Sequence, residues 1–219
     1  MSTIEQYQQL GFKTESVEFT PETLAAADYA IAWHDNTKVV PMDEINERRL
    51  RRASLAPNRP IGGSYLADVS GTFEPAPSGV DGTPPKWFEL LKGAGATIAT
   101  DVATWGAQDT GYTAKGSPLT FIHRDGQFAR TASGARIETL IFKANRGELW
   151  LCEMTAKGRY SQATDLVFES PSLPLVGQPF LGHAVTVGGV ARPVSSIEIA
   201  ITNTLVATQD GTHDSGNGR

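Results

Sequence analysis

FEPAPSGVDGTPPKWFELLKGAG, residues 73–95, decides how the rest of the chain is read. It leaves a β-like run (Ser64–Phe73), crosses a Pro/Gly-rich loop and enters the one convincing helix of the sequence, expected over about 83–94. Thr83 is a natural N-cap, and Pro84 follows at the first helical position, where a missing N–H costs nothing. Trp87, Leu90, Leu91 and Ala94 fall at i, i+3, i+4 and i+7, a single packing stripe, with Lys86, Glu89 and Lys92 opposite. Gly93 and Gly95 supply the stop. So short a helix is not stable alone. The surrounding chain must hold it, and that chain reads as sheet.

Upstream, Tyr29–His34 and Thr37–Val40 flank Asp35-Asn36 and read as a hairpin that Pro41 ends. Residues 1–24 are polar, without a steady period, and read as an N-terminal arm. Downstream, Thr97–Val102 leads into a small-residue loop through Gly116. Leu119–His123 and Gln127–Thr131 form a hairpin about Asp125-Gly126, and Ser133-Gly134 is expected to reverse the chain again. Ile137–Lys143 and Glu148–Thr155 follow around Asn145-Arg146-Gly147, and Lys157-Gly158 closes the meander. Both strands are apolar on two faces, which indicates a sheet covered twice or one face lent to a partner. No element is expected over Glu169–Pro179. His183–Val187 and Val190–Val194 form a short hairpin, Ser195–Asn203 is an amphipathic strand, and 206–219 reads as a flexible tail. The chain is thus mainly β with one short helix, its domain spanning 25–205.

With 219 residues, one domain can bury roughly 70% of its unfolded surface. Asp and Glu number 24 against 19 Lys and Arg, a balance unlike that of a dedicated nucleic-acid binder. No apolar run reaches the roughly 18 residues of a membrane span, and no basic-then-apolar leader opens the chain, so retention in a cytoplasm is expected. The single cysteine, Cys152, excludes an intrachain disulfide and reads as a buried structural thiol. His34, His123, His183 and His213 are scattered singly, which does not suit a metal site. Glu148 and Glu153 point to opposite faces of one strand, and His213-Asp214-Ser215 are too close in sequence to form a triad. Trp33, Trp87, Trp105 and Trp150 suit core packing more than a stacking platform, with Trp87 and Trp150 in core patterns. No catalytic, cofactor-binding or metal-binding constellation emerges. One segment stands out by charge: 44–63 collects Arg48, Arg49, Arg51, Arg52 and Arg59 before Pro60, Gly62 and Gly63. It reads either as a solvated face or as an extended loop that docks on an acidic surface.

The block GTFEPAPSGVDGTPPKWFELLKGAGA, followed by SPLTFIHRDGQFARTASGARIETLIFKANRGELWLCEMTAKGRY, resembles the tail tube (major tail) proteins of long-tailed bacteriophages. The likeness covers about 50–160 and extends to 195–204. It implies an antiparallel β-sandwich or half-barrel of the phage tail tube type, with one short helix packed through Trp87, Leu90 and Leu91. It implies a structural virion protein and no enzyme: subunits in rings, commonly sixfold, stacked into a tube in the tail after assembly in the host cytoplasm. The partners would be sister copies and other tail proteins (tape measure, terminator, tail tip), with DNA passing through the lumen without specific binding. No cofactor and no membrane are implied. Arg48, Arg49, Arg51, Arg52 and Arg59 become candidate inter-ring contacts. The family pattern also leads one to expect a further strand after GNGR. A paralogous tail-tip or head–tail adaptor ring is one alternative. A carbohydrate-binding β-sandwich using Trp105, Tyr112 and Tyr160 is another.

Overall fold

The computed structural model describes residues 8–34, 36–46, 61–105, 116–125, 128–165, 169–173, 179–181, 184–187 and 190–205, with backbone alone at 42–46, 61–65, 162–165, 184–187 and 191–193. In chain order the strands are β1 (Gln8–Thr14), β2 (Lys38–Asn46), β3 (Ile61–Phe73), β4 (Thr97–Ala99), β5 (Val102–Thr104), β6 (Leu119–Asp125), β7 (Phe128–Asn145), β8 (Leu151–Asp165), β9 (Ala184–Val187), β10 (Val190–Pro193) and β11 (Ser196–Thr202). Helix α1 (Phe88–Gly93) lies between β3 and β4. The main sheet is antiparallel in the order β1-β6-β7-β8-β3-β2, with β11 added to β7.

The long strand β7 organises this sheet. Along one edge its first half pairs with β6 and its second half with β11, while β8 runs along the other edge. At the far end β2 comes back within reach of β6 and β7, so the sheet curls into a half-barrel. The concave side is filled by Leu90 and Leu91 of α1 with Phe12, Phe73, Leu119, Phe121, Ile137, Leu140 and Met154. Trp33 bridges the two sides of the curl, its ring edge-on to Phe12 at 6.2 Å and to Phe73 at 5.1 Å. Trp87 stands 5.5 Å from Phe142. Asn203 stitches three elements at the seam where β6 stops and β11 begins. Its amide donates to Ala94 O at 3.1 Å and Ile137 O at 3.2 Å, and its N–H to Glu138 O at 2.8 Å.

The helix is shorter than its sequence pattern. It starts at Phe88, with Trp87 rather than Thr83 at the cap position. The cause is the Pro-Pro step: Pro85 pushes Pro84 out of the α region, so no helix can begin before it. The N–H groups of Phe88, Glu89 and Leu90 instead reach back three residues to Pro85, Lys86 and Trp87. The C-terminal stop stands as read. Gly95 takes φ +97°, Ala96 N–H returns to Leu91 O at 2.9 Å, and Gly95 N–H returns to Lys92 O at 3.0 Å. The polar side of α1 is not simply solvated. Lys86 Nζ sits 2.7 Å from Asp28 Oδ1 and 2.8 Å from Glu89 Oε1, and Glu89 Oε2 accepts the N–H of Thr14.

Four other expectations give way. Residues 8–24 are not an arm: β1 pairs along β6, and Leu10, Phe12 and Leu24 are buried. The hairpin over 29–40 does not form, because both its halves lie in series along β3. Trp33 bridges Phe73 and Lys38 registers with Ser70, while Asn36 holds Thr72 between them. Pro41 sits inside β2, tolerated because β2 is an edge strand. Ser133-Gly134 is a bulge and not a reversal. Gly134, at φ +61°, turns its N–H onto Glu15 Oε1 at 2.6 Å, where Thr120 Oγ1 also donates at 2.8 Å. Burial pushes the Glu15 carboxyl up in spite of these donors. Lys157-Gly158 lies within β8, where Gly158 lets the backbone close on Ala135.

A further register shift between Ile137 and Thr139 explains the two-faced apolar pattern of β7. It flips the parity, so Ile137 and then Leu140, Phe142 and Ala144 all point inward.

Candidate functional site

Strands β11, β7, β8 and β3 turn a second face away from the core. Along β3, Val69 and Phe73 are buried while Asp68, Ser70 and Thr72 point out. Along β8, Cys152, Met154 and Ala156 are inward and Glu153, Thr155 and Lys157 outward. Register then assembles cross-sheet rows, because directly opposed residues share a face. One row is all hydroxyl: Thr202, Thr139, Thr155 and Ser70, with the Thr139 and Thr155 oxygens 2.6 Å apart. The next is Ala200, Ile141, Glu153 and Thr72, and beyond it Glu198 opposes Lys143.

The lysines of this face are neutralised in place. Lys143 Nζ lies 2.9 Å from both oxygens of Glu153, and that hydrogen bonding raises its pKa, with Glu198 adding to the effect. Lys157 Nζ lies 2.9 Å from Glu138 Oε1, which raises its pKa likewise, with Asp68 contributing from the opposed position on β3. Both lysine side chains are about two-fifths exposed, so these pairs set the charge seen by a partner more than they stabilise the fold.

Arg48, Arg49, Arg51, Arg52 and Arg59 lie outside the described residues, within the segment that links β2 to β3. The strands bearing that segment are informative. Among the described residues, 61–65 of β3 pair with β2 alone, since β8 joins β3 only from Leu66 onward. This hairpin therefore leaves the sheet as a projecting arm. Trp87, Leu90 and Leu91 are brought together on the concave side, Leu90 and Leu91 buried and Trp87 packed against the same core.

Groups with chemical potential are not gathered. Among the described residues no three His, Cys, Asp or Glu side chains could hold a metal. Cys152 is buried, and burial pushes its thiol up, which makes it unreactive. His123 is buried with neither ring nitrogen bonded among the described residues, and desolvation lowers its pKa. His34 stands 3.5 Å from Glu74, while His183, His213 and the 213–215 tripeptide lie outside the described residues. Trp150, expected in the core, is exposed, as is Trp105. Tyr112 lies outside the described residues and Tyr160 packs against the core, so the described residues show no exposed row of these three aromatics.

No family model matches the sequence, and no curated protein does. The site must therefore be judged on its geometry. Besides the polar face, that geometry offers open strand edges: β11 pairs only with β7, β2 only with β3, and β1 only with β6 among the described residues. Ile197, Ile199 and Ile201 register with Ala144, Phe142 and Leu140 and so extend the core face past its cover, leaving Ile199 50% exposed. Glu138, Lys143, Lys157 and Glu198 are not singled out from sequence, and Glu153 only as one of two carboxylates, with Glu148, that could not act as a pair. Their off-phase positions were visible there, but only the register makes them partners.

Proposed function

We propose that the chain is a structural virion protein, a subunit of stacked rings that form the tail tube of a long-tailed bacteriophage and deliver DNA to the host. The observation that carries this reading is the open edges of one curled sheet: among the described residues β11, β2 and β1 each pair on one side alone, with Ile199 of β11 and Val40 of β2 exposed. Open edges are a liability in a monomer, and pairing between sister copies around a circle removes them. The projecting β2–β3 hairpin supplies a second direction of contact. Its Arg48–Arg59 segment reaches the next ring and meets carboxylates there, a heterologous contact that yields an open filament. The helix acts as the internal plug that keeps the half-barrel curved while its edges are shared. The work is mechanical rather than catalytic, and its partners are sister subunits, other tail components and the passing DNA.

Electron microscopy of the purified protein tests the reading: the wild type forms rings or tubes. Reversing Arg48, Arg49, Arg51 and Arg52 to Glu leaves soluble subunits without tubes. Normal tubes from that variant would show that the arm is not the stacking element.

A further inference from the structure

His123 follows Phe121 by two residues and so shares its concave side of β6, where it is 2% exposed with neither ring nitrogen bonded among the described residues. An imidazole placed so takes up a proton only when water reaches it. Its neighbours across the ladder are Leu10 on β1 and Arg130 on β7. β7 is paired on its far side with β8, whereas β1 pairs with β6 alone among the described residues. Water therefore reaches the ring most readily past Leu10.

The grip on β1 is uneven. From Phe12 onward it is strong: the Phe12 ring packs on Trp33 and Phe121, Thr14 N–H donates to Glu89 Oε2, and Glu15 is buried. Before Gly11 it is light. Leu10 is buried, and the Gln9 side chain exchanges hydrogen bonds with the backbone of Glu169 at 2.7 and 3.3 Å. We infer that residues 8–10 form an acid-operated latch: they fray from β6 as a unit, and a proton taken up by the uncovered His123 holds them off and bares the edge of β6. The latch does not depend on the tail-tube reading.

The charges around the ring fix the direction. Desolvation lowers the closed ring's pKa; Asp125, two residues along β6, works against this, and Arg130 opposite adds to it. β1 brings no ionisable group to this side, because Lys13 lies on the other face, paired with Glu22. Arg124 likewise turns away, onto the Tyr29 ring. β2 also approaches β6 and carries exposed Lys38, with Asp43 and Glu44 described by backbone alone. A closed state that refuses the proton and an open state that accepts it mean that the latch loosens as pH falls through the ordinary imidazole range.

Hydrogen exchange of the full chain, read by mass spectrometry, tests this. Protection, the intrinsic over the observed exchange rate at one pH, is compared for 8–11 and for 151–158 of β8, with and without low urea. With an ordinary pKa of about 6.5 for the uncovered ring, protection of 8–11 should fall by up to about tenfold between about pH 7.5 and about pH 5.5. That fall should depend little on urea, because a short frayed segment exposes little surface, while β8 keeps the steep dependence of global unfolding. In His123→Leu and His123→Gln the fall should vanish. Protection of 8–11 that ignores pH in the wild type, that falls equally in both His123 variants, or that falls only with the urea dependence of β8 would overturn the latch.

Discussion

Replacing Gly93 with alanine sets two effects against each other. At an exposed helical position the change gains up to about 1 kcal/mol from propensity. Gly93 is not exposed. A Cβ there would lie 2.5 Å from Leu119 Cδ1 and 3.0 Å from Ile137 Cγ1. Both side chains are fully buried, so yielding means repacking the core around them. Overpacking of this kind costs about 1–3 kcal/mol, so a net loss of about 1–2 kcal/mol is expected. In a domain this size each kcal/mol shifts the melting temperature by about 2–4 °C. Urea unfolding followed by tryptophan fluorescence measures the loss directly. Leu119→Ala removes the obstructing methyl, so Gly93→Ala made in that background should be neutral or stabilising, an inversion of sign. If Gly93→Ala stabilises the wild type, or if the sign stays the same in both backgrounds, α1 does not seat on β6 and β7 as described and the plug argument fails.

Three further outcomes are expected. Glu15→Ala leaves the donors of Thr120, Gly134 and Phe19 without their acceptor and should cost roughly 3 kcal/mol or more, again by urea unfolding, whereas Glu15→Gln should recover part of it. Asn203→Ala strips hydrogen bonds from Ala94 O and Ile137 O; a loss of about 1–3 kcal/mol should come with faster amide exchange along β11 than along β8. For His123 the folded-state pKa is lowered, so below about pH 6.5 the unfolded chain takes up a proton that the folded chain refuses, and stability falls as pH drops until the folded value is reached. His123→Leu should flatten that part of a stability-against-pH curve.

Period two is plain in the sequence at β3, where inward Val69 and Phe73 alternate with Asp68, Ser70 and Thr72. The helix stripe was equally plain, because Leu90, Leu91 and Ala94 repeat at helical spacing. What escaped was set by partners distant in sequence. In QQLGFKT only Leu10 and Phe12 mark a strand; β1 owes its existence to the pairing surface of β6. Gly134 looked like a turn because a bulge uses the same left-handed backbone as a turn. The two-faced pattern of β7 arose from a register shift, which moves Ile137 and Leu140 to one side. Likewise Lys143 and Glu153 are ten residues apart in sequence and 2.9 Å apart in space, a pair that only the β7–β8 register closes.

Cryo-electron microscopy of the concentrated wild-type protein puts the central claim to its most direct trial. The expected image is a stack of rings in which the edges of β11 and β2 meet neighbouring copies and the hydroxyl row faces the bore. Well-folded single subunits at the same concentration, with those edges bare, would contradict it.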